Sequence, residues 1–420
     1  MILAVAAPAE AGVKIDHWTA QSGARVNFVE SHALPIVDIA IEFAAGSAYD
    51  SREQAGLARL SLAMLKAGSS RYSETEASRR IADAGAQLRE NFDLDRAGFA
   101  LRSLSSEAER KAATQTLADM LQAPLFPAEA FEREKARAIA NAREAETQPD
   151  RVAERRLYEL MYPAHPYGFS ETPDTLASIK REDVERHYRN CFGSARAVVT
   201  IVGDLDRDAA KALAEELTSR LSKGTDPALA PVATPAGATL RVAHPSTQSH
   251  VLLGVAAVSR SDPDYFPLFV GNYSLGGGGF RSRLLREVRE KRGYAYSAYS
   301  YFRPYEREGP FLVGLETRRD QAREALELAR SVVGEFVKHG PTEAELKAAL
   351  GVLPAPRWSQ VITERRATFS CSPALKRPGG NTPIPGLLLA GDYVASDYPG
   401  TLEAAVRSGI AAGCTRVSLV

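Results

Sequence analysis

Cysteine, clustered histidine and surplus charge are what this chain has least of. Only three cysteines occur, Cys191, Cys371 and Cys414. They are too few and too scattered for a disulfide framework, and there is no C-x-x-C clamp for zinc. The seven histidines are equally dispersed, which excludes a histidine-rich metal tract. Lys and Arg total 52, as do Asp and Glu, so the formal net charge is zero. Without a cationic excess to displace counterions, whole-chain electrostatics make no case for nucleic acid. No run of about 18 apolar residues occurs, so no membrane span is expected. What is present is ordinary globular composition, 45% hydrophobic and 25% charged, over 420 residues. That length implies two or three domains.

Periodicity gives an α+β order that is run through twice. Residues 33–46 alternate apolar and polar at Ile39, Ile41 and Phe43, a half-buried strand. Helical spacing follows over 54–67, and again over 73–84, where Ser73 and Glu76 form a capping box. A strand at 95–103, long helices at 106–121 and 127–147, a strand at 197–202 and a helix at 207–221 complete the first half. Residues 222–238, rich in Pro, Ala and Gly, read as a linker. The order then restarts, with a strand at 249–257, helical runs at 266–274 and 280–291, strands at 295–302 and 311–317, and a long amphipathic helix at 319–338. Past a helix start at 341–350 the expected closing elements of the second half are missing.

Two blocks stand out: GGGGFRSRLLREVREKRGYAYSAYSYF at 276–302, and GLARLSLAMLKAGS at 56–69 together with His165-Pro166-Tyr167-Gly168. With the doubled α+β plan, they resemble the pitrilysin-type, or M16, zinc peptidases over roughly residues 13–350, most closely two-subunit members in which one chain carries zinc and the other does not. The resemblance implies two successive homologous domains, at 13–221 and 239–351, the second incomplete. The family's zinc motif is an inverted H-x-x-E-H on a helix, two ligands one turn apart with a general base between. The matching positions here hold Arg59, Leu62 and Ala63. A guanidinium is cationic, and Leu and Ala offer no lone pair, so no metal is expected in this chain. The family's distal carboxylate falls near Ala140 and Asn141, with Glu144 and Glu146 close by. Glu182 or Asp183 with His187 is the only other helical grouping, and it reads as a solvated helix face.

The second block keeps its chemistry. Arg289 and Tyr296 match the Arg and Tyr that the family carries in its C-terminal domain, where they hold a peptide segment opposite the partner's metal. Both can donate hydrogen bonds to a peptide carbonyl. Gly276 to Gly279 lacks the G-K-[ST] ending of a phosphate cradle and reads as a tight turn. His165 to Gly168 reads as loop packing, and the strand at 36–43 as a sheet edge open to an extended peptide.

Residues 352–420 resemble the flavin-contacting end of squalene- and phytoene-type desaturases, a foreign strand-turn-helix tail in which Asp392 would face the nucleotide. No G-x-G-x-x-G follows a strand anywhere in the chain, so FAD is not expected to be held, and a gene fusion joined near Gly351 is the expected origin. Residues 1–12 read as the remnant of an export signal, which places the chain in the periplasm; a frayed terminus in the cytoplasm is the plain alternative. Three functions follow: a subunit lending Arg289 and Tyr296 to a zinc-bearing partner for peptide hydrolysis, a non-catalytic peptide-binding or scaffold protein, or, from the tail alone, a flavin oxidoreductase fragment.

Overall fold

The computed structural model describes residues 14–225, 228–233 and 235–350. The chain divides into a unit of Met1–Val352 and one of Leu353–Val420. The tail, with Asp392, and the 1–12 segment therefore lie outside the described residues.

The first half runs β1 (Asp16–Thr19), β2 (Arg25–Glu30), β3 (Ile36–Phe43), α1 (Leu57–Met64), α2 (Glu74–Asp83), β4 (Gln87–Phe92), β5 (Ala97–Leu104) and α3 (Glu107–Gln122). It continues with α4 (Ala128–Thr147), α5 (Pro149–Met161), α6 (Pro173–Ser178), α7 (Arg181–Cys191), β6 (Ala197–Gly203) and α8 (Arg207–Thr218). Ser73 and Glu76 form the capping box read from the sequence at the start of α2.

The strands make one sheet in the order β1-β2-β6-β3-β5-β4. Strict alternation in β3 buries Val37, Ile39, Ile41 and Phe43 to 1% exposure or less, and that face meets the helices in the main core. The expectation that this strand is a sheet edge is wrong. β6, arriving some 160 residues later in the chain, pairs with β3 on one side, and β5 pairs on the other, so both rows of backbone groups are taken.

The second half holds β7 (Gln248–Val258), α9 (Tyr265–Asn272), the short α10 (Arg283–Leu285), β8 (Ala295–Phe302), β9 (Gly309–Arg318), α11 (Ala322–His339) and α12 (Glu343–Ala349). Its sheet order, β7-β9-β8, repeats β3-β5-β4, and the helices fall at the same points of the chain. Among the described residues, β7 has no counterpart of β6 beside it.

A buried polar junction joins the halves. Tyr167 donates to Asp95 at 2.7 Å, Asp95 also accepts from the Glu306 amide at 2.7 Å, and Tyr162 donates to the Glu308 carbonyl at 3.1 Å. Among the described residues, 222–238 form neither helix nor strand. This stretch is pinned by His165 Nε2, 3.0 Å from the Ala230 carbonyl, and by Arg307, which donates to the Leu229 carbonyl at 2.9 Å. His165 thus packs a loop, as its sequence context suggests. Among the described residues no helix is long and apolar enough to cross a membrane.

Candidate functional site

α1 starts where Asp50, itself buried, accepts the Gly56 and Ala58 amides at 2.9 Å each. Those bonds satisfy donors that a helix start leaves free. Gly56 has φ +104°, and a Cβ there would stand 2.6 Å from Leu176, so glycine is required. From this anchor six of the eight residues of α1 are buried. Arg59 and Ala63, four apart, share the one face that is not. These are the two positions where the zinc motif would place its ligands. Leu62, at the position of the base, is 1% exposed and belongs to the core. The residues present do not fit zinc: one ligand position is cationic, the other a methyl, and the base position is apolar.

Among the described residues nothing nearby substitutes. On α4, Ala140 and Asn141 are exposed, and the positions that face the cavity beside α1 are Ala142 and Ala145. Glu146 is exposed and lies 3.5 Å from Arg155. The grouping on α7 is not the solvated face expected. Asp183 and His187 are buried, and His187 packs its ring 6.0 Å from that of Phe192. Burial depresses its pKa to about 3, with the Arg196 charge acting the same way, so the imidazole is neutral. Among the described residues no group of three or more His, Cys, Asp or Glu could hold a metal ion.

The segment 276–302 is built differently. Residues Tyr273–Gly277 and Arg286–Glu290 form two π-helical turns, wider than an α-turn. A Cβ on Gly276 would lie 2.3 Å from the Ser300 amide nitrogen, which sets how closely this turn approaches β8. Gly279 and Gly293 take φ values of +56° and +63°. The register of β8 against β9 shifts between Ala295 and Ala298, and this irregularity turns Tyr296 outward to 80% exposure. The Arg289 guanidinium lies 4.6 Å from the Tyr296 ring centroid and 5.2 Å from that of Phe280, itself 71% exposed. The structure thus brings the two sequence-predicted residues into contact. Stacking occupies the faces of the guanidinium and leaves its N–H edge available; among the described residues no carboxylate or carbonyl takes it. Phe280 stands inside the distinctive block but its role as a stacking partner has no periodic signal.

A second feature escapes sequence reading. Beside Arg59 lies a cavity of about 340 Å³ whose walls include Arg151 and Arg155 from α5, and Arg303 and Tyr305 from the loop after β8. Arg59 stacks on Phe92 at 4.2 Å within it.

Comparison with known proteins accounts for both halves. Residues 25–171 match "Insulinase (Peptidase family M16)" and residues 178–353 match "Peptidase M16 inactive domain". A solved structure described as a peptidase M16 inactive domain, from Pseudomonas fluorescens, superposes with a TM-score of 0.79 at 33% identity, covering 81% of this chain and 84% of that one. A protein called a non-peptidase homolog, YmxG, from Helicobacter pylori is 25% identical over 83% of this chain and 81% of its own length. An uncharacterized zinc protease from Streptomyces coelicolor is 33% identical over 190 residues, but the match spans only 41% of that protein. With a doubled β-β-β core, both family patterns and a 33%-identical relative matched over most of its length, this chain belongs to the M16 peptidase family.

Proposed function

We propose that this chain is the zinc-free subunit of a two-chain M16 peptidase, lending Arg289 and Tyr296 to a peptide held against a zinc-bearing partner. The observation that carries this reading is the Arg289–Tyr296 pair, a stacked guanidinium with an unspent N–H edge beside a phenol that is 80% exposed. Among the described residues neither side chain makes a hydrogen bond or an ion pair. Both donate, so both can hold a substrate carbonyl and strengthen their bonds as that oxygen gains charge in the tetrahedral intermediate. Metal chemistry belongs to the partner, because α1 presents arginine and alanine where ligands would stand. Mixing tests the reading. The purified chain is expected to hold no stoichiometric zinc and to cleave no peptide, and to raise the activity of a zinc-bearing M16 subunit when added to it. A second reading, a free-standing non-catalytic peptide binder, is favoured by the Helicobacter relative, which is called a non-peptidase homolog. It gains if the chain binds peptide but leaves every zinc-bearing subunit tested unchanged.

A further inference from the structure

Beyond Arg289 and Tyr296, the cavity beside α1 holds a second set of groups that the fold uses only in part. Four guanidinium groups, Arg59, Arg151, Arg155 and Arg303, face two carboxylates, Glu154 and Glu171. The nearest carboxylates stand off from them. Arg59 lies 3.8 Å from Glu171, Arg303 lies 3.8 Å from Glu154, and Arg155 lies 3.5 Å from Glu146. None of these contacts is a hydrogen bond. Elsewhere Arg102 grips Asp38 through two bonds of 2.7 and 2.8 Å, and Arg283 grips Glu345 through bonds of 2.8 and 2.6 Å. Arg155 Nε is buried with no acceptor among the described residues, and the exposed Arg151 side chain has neither an ion pair nor a hydrogen bond there.

The phenols add to this. The Tyr158 and Tyr305 hydroxyls are 2.9 Å apart, and burial pushes both up in pKa, so both keep their protons at neutral pH. Only one can donate to the other, and among the described residues nothing accepts the remaining O–H. Arg303 is engaged with these two hydroxyls, so the unspent groups are the remaining O–H, Arg151 and Arg155 Nε, all donors set in a small positive excess.

The geometry points to a carboxylate-binding pocket standing where the metal site of a zinc-bearing member would be, taking the free C-terminus or an acidic side chain of a bound peptide. A planar carboxylate matches the guanidinium fork. The two retained glutamates oppose a doubly charged group, which favours a carboxylate over a phosphate. Arg303 follows Tyr296 by seven residues, about 23 Å of extended chain, so one peptide of about ten residues can reach both places. The inference rests on the reading that this chain holds peptide.

Calorimetric titration of the full chain with three acetylated ten-residue peptides of alanine, glutamine and leucine tests it. The first is amidated and has no carboxylate, the second has a free C-terminus, and the third is amidated with one internal glutamate. At least one acidic peptide is expected to bind about tenfold more tightly than the neutral one, and which does so identifies the source of the carboxylate. Arg155→Gln should remove that preference. Glu154→Gln, which takes away a competing carboxylate, should tighten the acidic peptide about threefold, a gain that misfolding cannot produce. Equal affinity for all three peptides overturns the pocket while leaving peptide holding intact. No binding of any peptide overturns both. Displacement of the acidic peptide by inorganic phosphate in preference to acetate overturns the carboxylate assignment.

Discussion

Helix α1 and the segment 276–302 are the two places where the family resemblance puts site chemistry, and the fold treats them in opposite ways. In α1 packing has absorbed the site. Leu62 sits in the core, and six of eight residues are buried around it. In the second segment packing spends its effort on backbone position, through Gly276 against Ser300 and the irregularity in β8, and leaves Tyr296 and the Arg289 edge unused. Chemistry that a fold does not consume is chemistry available to a ligand: the second segment keeps a donor pair in the open, whereas α1 itself keeps only Arg59 on its accessible face.

Rebuilding the zinc motif attacks this contrast most strongly. Leu62→Glu would bury an unpaired carboxylate, and we expect a loss of about 3 kcal/mol or more in urea unfolding. Ala63→His, on the accessible face, should cost less than about 0.5 kcal/mol. If the two cost the same, α1 is not the packed element described. In the second segment, Gly276→Ala should cost about 2 kcal/mol, because its Cβ meets the backbone of β8. Gly279→Ala, strained only by its positive φ, should cost about 1 kcal/mol. Equal costs would mean that close approach is not what positions the segment.

The core around α1 also has a pH limit. His187, on α7, which packs against α1, has a folded pKa of about 3 against an ordinary value of 6.5. The unfolded chain therefore binds the extra proton between those values, and stability falls as pH drops through that window, by about 1.4 kcal/mol per pH unit. Unfolding midpoints measured from pH 7 to pH 4 should show that slope, and His187→Leu should flatten it. An unchanged slope in the variant would assign the effect to other groups.

Sequence periodicity made much of the fold legible, because local signals carried it: the capping box of α2, the alternation of β3 and the restart of the element order after the linker. What it missed depended on distant pairing. β4 (QLRENF) carries only Leu88 and Phe92 as apolar residues, too few for periodicity to assign it, yet its whole length pairs with residues 97–102 of β5. β3 looked like an edge because β6 lies far away in the chain. Asp183 and His187 looked solvated because their neighbours in sequence are charged, although the helix turns them inward. At the candidate site, the motif singled out Arg289 and Tyr296, which the structure brings into contact. The cationic cavity was invisible because Arg59, Arg155 and Arg303 lie on three widely separated segments.

One kinetic comparison tests the central claim most directly: peptide hydrolysis by a zinc-bearing M16 subunit saturated with this chain, against the same mixture made with Arg289→Ala. If the chain lends its donors to the reaction, the variant should associate with unchanged affinity while kcat/KM falls about a hundredfold, as when a single oxyanion donor is removed. Full activity in the Arg289→Ala mixture, or zinc-dependent cleavage by this chain alone, would contradict it.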